Sequence, residues 1–120
     1  MMRSYLRGKI HRATVTEADL DYEGSIGIDE ALMDASGISK WEQVSIYDVT
    51  NGERIETYAV PLQADSGSIC INGAAAHLIK PNDLVIIAAY QFLNIDEQEN
   101  VSPKIVRVNQ KNEIIEIING

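Results

Sequence analysis

One cysteine, Cys70, is all the thiol chemistry the chain carries, so no internal disulfide framework can hold it together. Its two histidines, His11 and His77, stand far apart, and with one thiol they offer no metal-ligand spacing. Basic residues number 10 against 18 acidic ones and do not cluster. At a net charge of −8 the chain is not built to follow a phosphate backbone. The opening Met1 to Leu6 lacks the apolar core of a secretory signal, and no apolar run approaches membrane-spanning length. A cytoplasmic protein with no nucleic-acid or membrane partner is therefore expected. Gly24 and Gly27 lack the Gly-Lys-Ser/Thr continuation of a phosphate loop, and no serine sits in a nucleophile elbow. Repeats, low-complexity tracts and linkers are also missing.

What is present suits a small folded unit. At 120 residues with 45% apolar content, the chain is long enough for one domain with a core. Leu6 to Thr16 alternates as a strand, with His11, Ala13 and Val15 on one face and Arg12, Thr14 and Thr16 on the other. Ser25 to Ile28 reads as a short extended piece. Asp29 is placed to cap a helix over Glu30 to Ser36, which Gly37 stops. Val44 to Thr50 and Glu53 to Val60 flank Asn51-Gly52, a strong hairpin signal, and Pro61 is expected to end the second strand. Ser68 to Ile71 is a further strand, in which Ile69 and Ile71 suggest a buried Cys70. Asn72 is placed to cap a short helix over Gly73 to Leu78, and Pro81 forbids its continuation. The apolar run Leu84 to Ala89 fits a doubly buried strand. Asn94 to Pro103 reads as a polar loop, and Ile105 to Val108 with Glu113 to Ile118 as a last hairpin. Many short strands and two small helices point to a compact barrel.

The chain is organised around Tyr22-Glu23-Gly24-Ser25. A glycine reaches backbone conformations closed to other residues. The Gly24–Ser25 peptide could thus be strained, with its carbonyl carbon near the serine hydroxyl. Such a hydroxyl can attack the preceding peptide bond and exchange amide for ester. Elimination then leaves a dehydroalanine, whose hydrolysis gives a pyruvoyl ketone at a new N-terminus. On the dipeptide alone, a solvated turn is the commoner outcome.

Two further constellations stand out. Arg54 and Tyr58 lie four residues apart on one expected strand, so both leave the same face. A guanidinium suits bidentate capture of a carboxylate, and a phenol can donate a proton while staying protonated near neutral pH. By residue type alone, a solvated strand charge and an ordinary strand aromatic remain open. The small residues of Asn72-Gly73-Ala74-Ala75 let an anion approach the backbone N–H groups of a helix start. A plain capped helix is the alternative there. An arginine plus a helix start would offer one anchor for each end of a dicarboxylic amino acid.

Several blocks together carry a resemblance. They are Gly8-Lys9-Ile10-His11-Arg12, Thr14 to Leu20, Tyr22-Glu23-Gly24-Ser25, Ile28-Asp29 and Met33 to Ile38. Thr50 to Arg54, Thr57-Tyr58-Ala59 and Asn72 to His77 continue it. In order and spacing the chain resembles the pyruvoyl-dependent aspartate 1-decarboxylases; the match is weakest after Gln91. The resemblance implies a mainly β fold, a double-psi β-barrel with short helices, as one domain over residues 1–120. It implies self-cleavage into 1–24 and 25–120, with Ser25 becoming a covalent pyruvoyl group that serves in place of a metal or pyridoxal phosphate. L-Aspartate would be bound as a Schiff base and converted to β-alanine and CO2, which feeds pantothenate and coenzyme A synthesis.

The same resemblance assigns Tyr58 as proton donor, and Gly24, Ser25, Thr57 and His11 to processing. Arg54, Thr57, Gly73, Ala74, Ala75, Lys9 and Asn72 are assigned to substrate. A homotetramer with sites at subunit interfaces is implied, and the need for a maturation factor stays open. Strand alternation sets Thr57 on the face opposite Arg54 and Tyr58. Either the strand bends there or a shared site sees both faces. Structural roles are an equal reading for His11 and the preferred one for His77. Two alternatives remain, a non-catalytic barrel used for binding and a pyruvoyl decarboxylase acting on another amino acid.

Overall fold

Isoleucine and valine dominate the buried positions, and branched side chains of this kind pack well on pleated surfaces. Ile10, Val15, Ile26, Ile28, Val44, Ile46, Ile69, Ile71, Val85 and Ile87 are almost wholly removed from solvent. A computed structural model describes every residue, Met1–Gly120. Nine strands are present: β1 (Met2–Thr14), β2 (Glu17–Asp19), β3 (Ser25–Asp29), β4 (Gln43–Asp48) and β5 (Arg54–Leu62) come first. They are followed by β6 (Ile69–Asn72), β7 (Leu84–Asn94), β8 (Lys104–Val108) and β9 (Ile114–Asn119). Their spatial order is β2-β6-β3-β5-β4-β7-β1-β8-β9. Parallel pairs β1/β8, β2/β6 and β3/β5 are mixed with antiparallel ones, so the chain repeatedly crosses over itself. The result is a mainly β, barrel-like single domain with short helices.

Strand β1 is central: β7 runs along one edge and β8 along the other. Its alternation is interrupted between Ile10 and Ala13, where the register with β7 shifts and Arg12 takes φ 62°. This bulge explains why Ile10 and Ala13, three apart, are both fully buried while Arg12 stays outside.

The helix α1 (Glu30–Ser36) has the expected caps. Asp29 Oδ1 accepts from the Ala31 N–H at 2.8 Å, and Gly37 closes the helix at φ 79°. Asp29 also accepts from the Asp65 and Gly67 backbone N–H groups, which ties the helix start to the loop before β6.

Three local expectations are corrected. Pro61 does not end β5, which runs on to Leu62. The β4 ladder stops at Tyr58, so by Pro61 only β3 lies alongside and the missing N–H can face an unpaired edge. Asn94 to Pro103 is not all loop, since Ile95–Asn100 forms a 3₁₀ helix with a reciprocal capping box between Asn94 and Glu97. The segment after Asn72 is a single 3₁₀ stretch, Gly73–His77, and Asn72 does not cap it by side chain. That amide is committed elsewhere.

Candidate active site

Ser25 opens β3 directly opposite Asn72 of β6 in an antiparallel pair, and both are buried. Directly opposed side chains in such a pair are in contact range. The Asn72 Nδ2 donates to Ser25 Oγ at 3.0 Å, and Ser25 Oγ donates to the Glu23 carbonyl at 3.3 Å. Two positions before Asn72 on the same strand, the Cys70 Sγ donates to Asn72 Oδ1 at 3.1 Å. The unmade cap and the buried polar trio are one fact: Asn72 serves β3 instead of the turn that follows it.

Ser25 lies in a cavity of about 480 Å³ bordered also by Tyr58, Asn72, Cys70, Trp41 and Lys40. Tyr58 is half-buried, and its ring meets Trp41 at a centroid distance of 5.7 Å. Lys40 in turn lies 5.2 Å over the Trp41 ring. Glu17, Asp19 and Glu23 line the same space, so carboxylates outnumber its one cation, Lys40. Burial, reinforced by the Glu17 and Asp19 carboxylates, pushes the Cys70 thiol up to about 11.

The strain expected at Gly24 is found at Gly73 instead. Gly24 is not in the left-handed region, and a Cβ there would meet nothing within 4 Å. Gly73 has φ 75°, and a Cβ on it would fall 2.8 Å from Gly24 Cα and 2.9 Å from Gly24 N. The glycine that sterics demand is thus the one pressed against the N and Cα of Gly24.

The structure brings together Gly24, Ser25, Tyr58, Asn72 and Gly73, with Ala75 half-buried and Ala74 exposed just beyond. A single 3₁₀ turn provides far less aligned dipole than the helix start that was expected there. Four other expected residues are elsewhere in the chain. Arg54 lines a separate depression with Ser45, Tyr47 and Glu56. Lys9 lies mid-β1, between Ala88 and Ile105.

His11 borders a third hollow with Arg12 and Arg107, and its Nδ1 has no partner. Burial, then the charges of Lys9, Arg107 and Arg12, lower its pKa. Thr57 faces Val44, away from the Ser25 cavity, and the β4–β5 ladder runs from Arg54 to Tyr58 without a bulge. No bulge in that ladder therefore turns Thr57 toward the cavity.

Sequence reading missed Lys40, Trp41 and the lining role of Cys70. Trp41 reaches the cavity because its backbone N–H donates to the Ala59 carbonyl at 2.7 Å, beside Tyr58. No local pattern signals such a contact.

The family model described as aspartate decarboxylase matches residues 1–115. The chain belongs to the aspartate decarboxylase family. Among its relatives in the family, the aspartate 1-decarboxylase of Clostridium beijerinckii is 53% identical over 119 residues, covering 99% of this chain and 96% of that protein. The Corynebacterium efficiens aspartate 1-decarboxylase is 54% identical, covering 99% of this chain and 88% of its own. No helix is long and apolar enough to cross a membrane.

Proposed function

We propose that this chain is a self-processing aspartate 1-decarboxylase, which cuts itself between Gly24 and Ser25 and releases β-alanine and CO2 from L-aspartate. The observation that carries the reading is Ser25, a residue 3% exposed, whose hydroxyl is held by Asn72 at the wall of a cavity that Tyr58 also lines. A bare scaffold has no need to bury a hydroxyl beside a phenol in this way.

The residues present fit a pyruvoyl group at position 25. Glu23 and Gly24 are exposed, so a new chain end at Gly24 can move into water, while position 25 stays inside the cavity. Such a group supplies the electron sink that decarboxylation requires, in place of pyridoxal phosphate. The chain's own residues do the rest. Ser25 Oγ attacks the Gly24 carbonyl carbon, its proton passing to the Ser25 nitrogen as the C–N bond breaks. Loss of the Ser25 Cα proton then eliminates the ester, with Gly24 leaving as a carboxylate. Asn72 Nδ2 donates to Oγ throughout. Tyr58 holds its proton for the substrate carbon that loses CO2.

The carboxylates of the substrate need cations that this cavity lacks. Glu17, Asp19 and Glu23 outweigh Lys40, and Arg54 and Lys9 lie outside. A shared site follows, in which a neighbouring copy supplies Arg54 with Thr57 and Lys9. Gly73, Ala74 and Ala75 then border the Ser25 side. This is the physical case for an assembly with interfacial sites, a homotetramer on the family's pattern. The β-alanine product suits supply to pantothenate and coenzyme A synthesis in the cytoplasm.

Intact mass spectrometry of the denatured protein tests the reading. Two fragments divided between residues 24 and 25, the larger with a carbonyl-reactive end, are expected, together with β-alanine from added aspartate. A Ser25→Ala chain should stay whole and inactive. A wild-type chain that remains whole after prolonged warm incubation with an extract able to supply maturation factors, and that yields no β-alanine, would overturn it.

A further inference from the structure

We propose that Cys70 is a positioning residue for self-cleavage: its thiol fixes which end of the Asn72 amide faces Ser25. The proposal rests on the reading of Ser25 as the self-processing nucleophile.

A buried asparagine amide is nearly symmetric in shape and can sit either way round, so something must choose. The thiol chooses. A thiol offers one donor and is a poor acceptor, so at 3.1 Å it selects the amide carbonyl, Oδ1. The NH2 end is then left to face Ser25 Oγ at 3.0 Å. Strand geometry sets this pairing up. Cys70 and Asn72 share one face of β6, and in the β3 ladder Gly27 lies opposite Cys70 while Ser25 lies opposite Asn72. Gly27 has no side chain to compete for the thiol. On the other edge of β6 the Glu17 carboxylate lies opposite Cys70 and also acts on it, while the thiol's 3.1 Å hydrogen bond goes to Asn72.

The orientation matters to the chemistry. With the N–H aimed at it, Ser25 Oγ accepts there and sends its own proton to the Glu23 carbonyl. During the attack the charge builds on the Gly24 carbonyl oxygen. When the ester is eliminated the Cβ–Oγ bond breaks and Oγ leaves as part of the Gly24 carboxylate. The negative charge that builds on it then faces a donor already in place. Turned over, the amide would present a carbonyl oxygen, which ties up the hydroxyl proton and repels the developing charge. The buried thiol is also kept protonated by its surroundings, which push it up to about 11, so the donor persists near neutral pH.

The test follows cleavage from freshly translated full-length chain by intact mass, with the Ser25→Ala background used to measure melting temperature without cleavage. Cys70→Ala removes the donor and should slow cleavage by about tenfold or more. Cys70→Ser keeps a donor and should stay within about threefold of wild type. Cys70→Val fills the space without donating; it should match alanine and covers the case in which alanine does not fold. If packing alone mattered, valine would process well and serine poorly, which overturns the proposal. Equal rates for wild type, alanine and valine overturn it too. Those outcomes leave the Ser25 reading standing, whereas a wild-type chain that never cleaves removes both.

Discussion

The guanidinium carbon of Arg54 lies 4.0 Å from the centroid of the Tyr47 ring. Tyr47 is itself held by Tyr90, hydroxyl to hydroxyl, at 2.7 Å. That hydrogen bond is the chief reason the Tyr47 phenol is lowered and the Tyr90 phenol is pushed up to about 12. Arg54 is therefore oriented by an aromatic face fixed from behind. With Arg54 as a carboxylate anchor, Tyr47→Leu should raise the KM for aspartate about two- to fivefold while kcat holds. Steady-state kinetics checks this, and an unchanged KM would deny the ring any part in holding the arginine.

Tyr58 separates the two reactions. Tyr58→Phe keeps the ring against Trp41 but loses the proton. Cleavage at residue 24 should proceed as before, while turnover of aspartate falls by about 10²- to 10⁴-fold. Mass spectrometry and a β-alanine assay on one preparation report both.

Gly73 and Gly24 should respond differently to alanine. At Gly24 there is open space, so Gly24→Ala should melt like the wild type. At Gly73 a positive φ and a 2.8 Å clash with Gly24 combine, and Gly73→Ala should cost about 1–3 kcal/mol. Urea unfolding in a Ser25→Ala background measures each without interference from cleavage. Similar losses at both positions would contradict the packing described.

Asp48 gives the stability a pH dependence. It is 3% exposed, and Oδ1 accepts from the Thr50 and Asn51 N–H groups while Oδ2 has no partner. Burial, aided by the Asp83 carboxyl nearby, pushes its pKa up to about 6. The folded state thus holds this proton more tightly than the unfolded chain does. The contribution is full below about pH 4 and is lost as pH rises through about 6. Asp48→Asn retains the Oδ1 acceptor and needs no charge, so it should flatten that decline and raise stability at pH 7.5 by on the order of 1–2 kcal/mol. Denaturant melts at pH 4.5, 6 and 7.5 would show it, and a variant weaker than wild type at every pH would contradict it.

Short-range signals were legible and long-range ones were not. The helix Glu30–Ser36 is written in its own caps, Asp29 and Gly37, and both behave as their chemistry dictates. The hairpin before Arg54 and the last hairpin likewise carry their turns locally. Asn72 looked like a cap because caps are judged from neighbours in sequence, yet its partners are Ser25, 47 residues away, and Cys70. Gly24 and Gly73 could not be told apart in role without knowing that one packs on the other. Family likeness drew attention to Arg54 and Tyr58 alike, but only coordinates reveal that one chain keeps them in separate hollows.

Residues 1–24 contain all of β1 and β2. The first is gripped on both edges by β7 and β8, and the second lies beside β6. A cut after Gly24 would sever the backbone while leaving that sheet closed around its own severed end. The mature enzyme would then be a complex of two polypeptides that was folded as one. Before the cut, recovery from unfolding is a first-order event. Afterwards the pieces must find each other, so dilution favours loss and heating becomes a one-way path. Processing would turn a reversible fold into one kept by slow dissociation, and each chain could be folded from a single continuous strand only once.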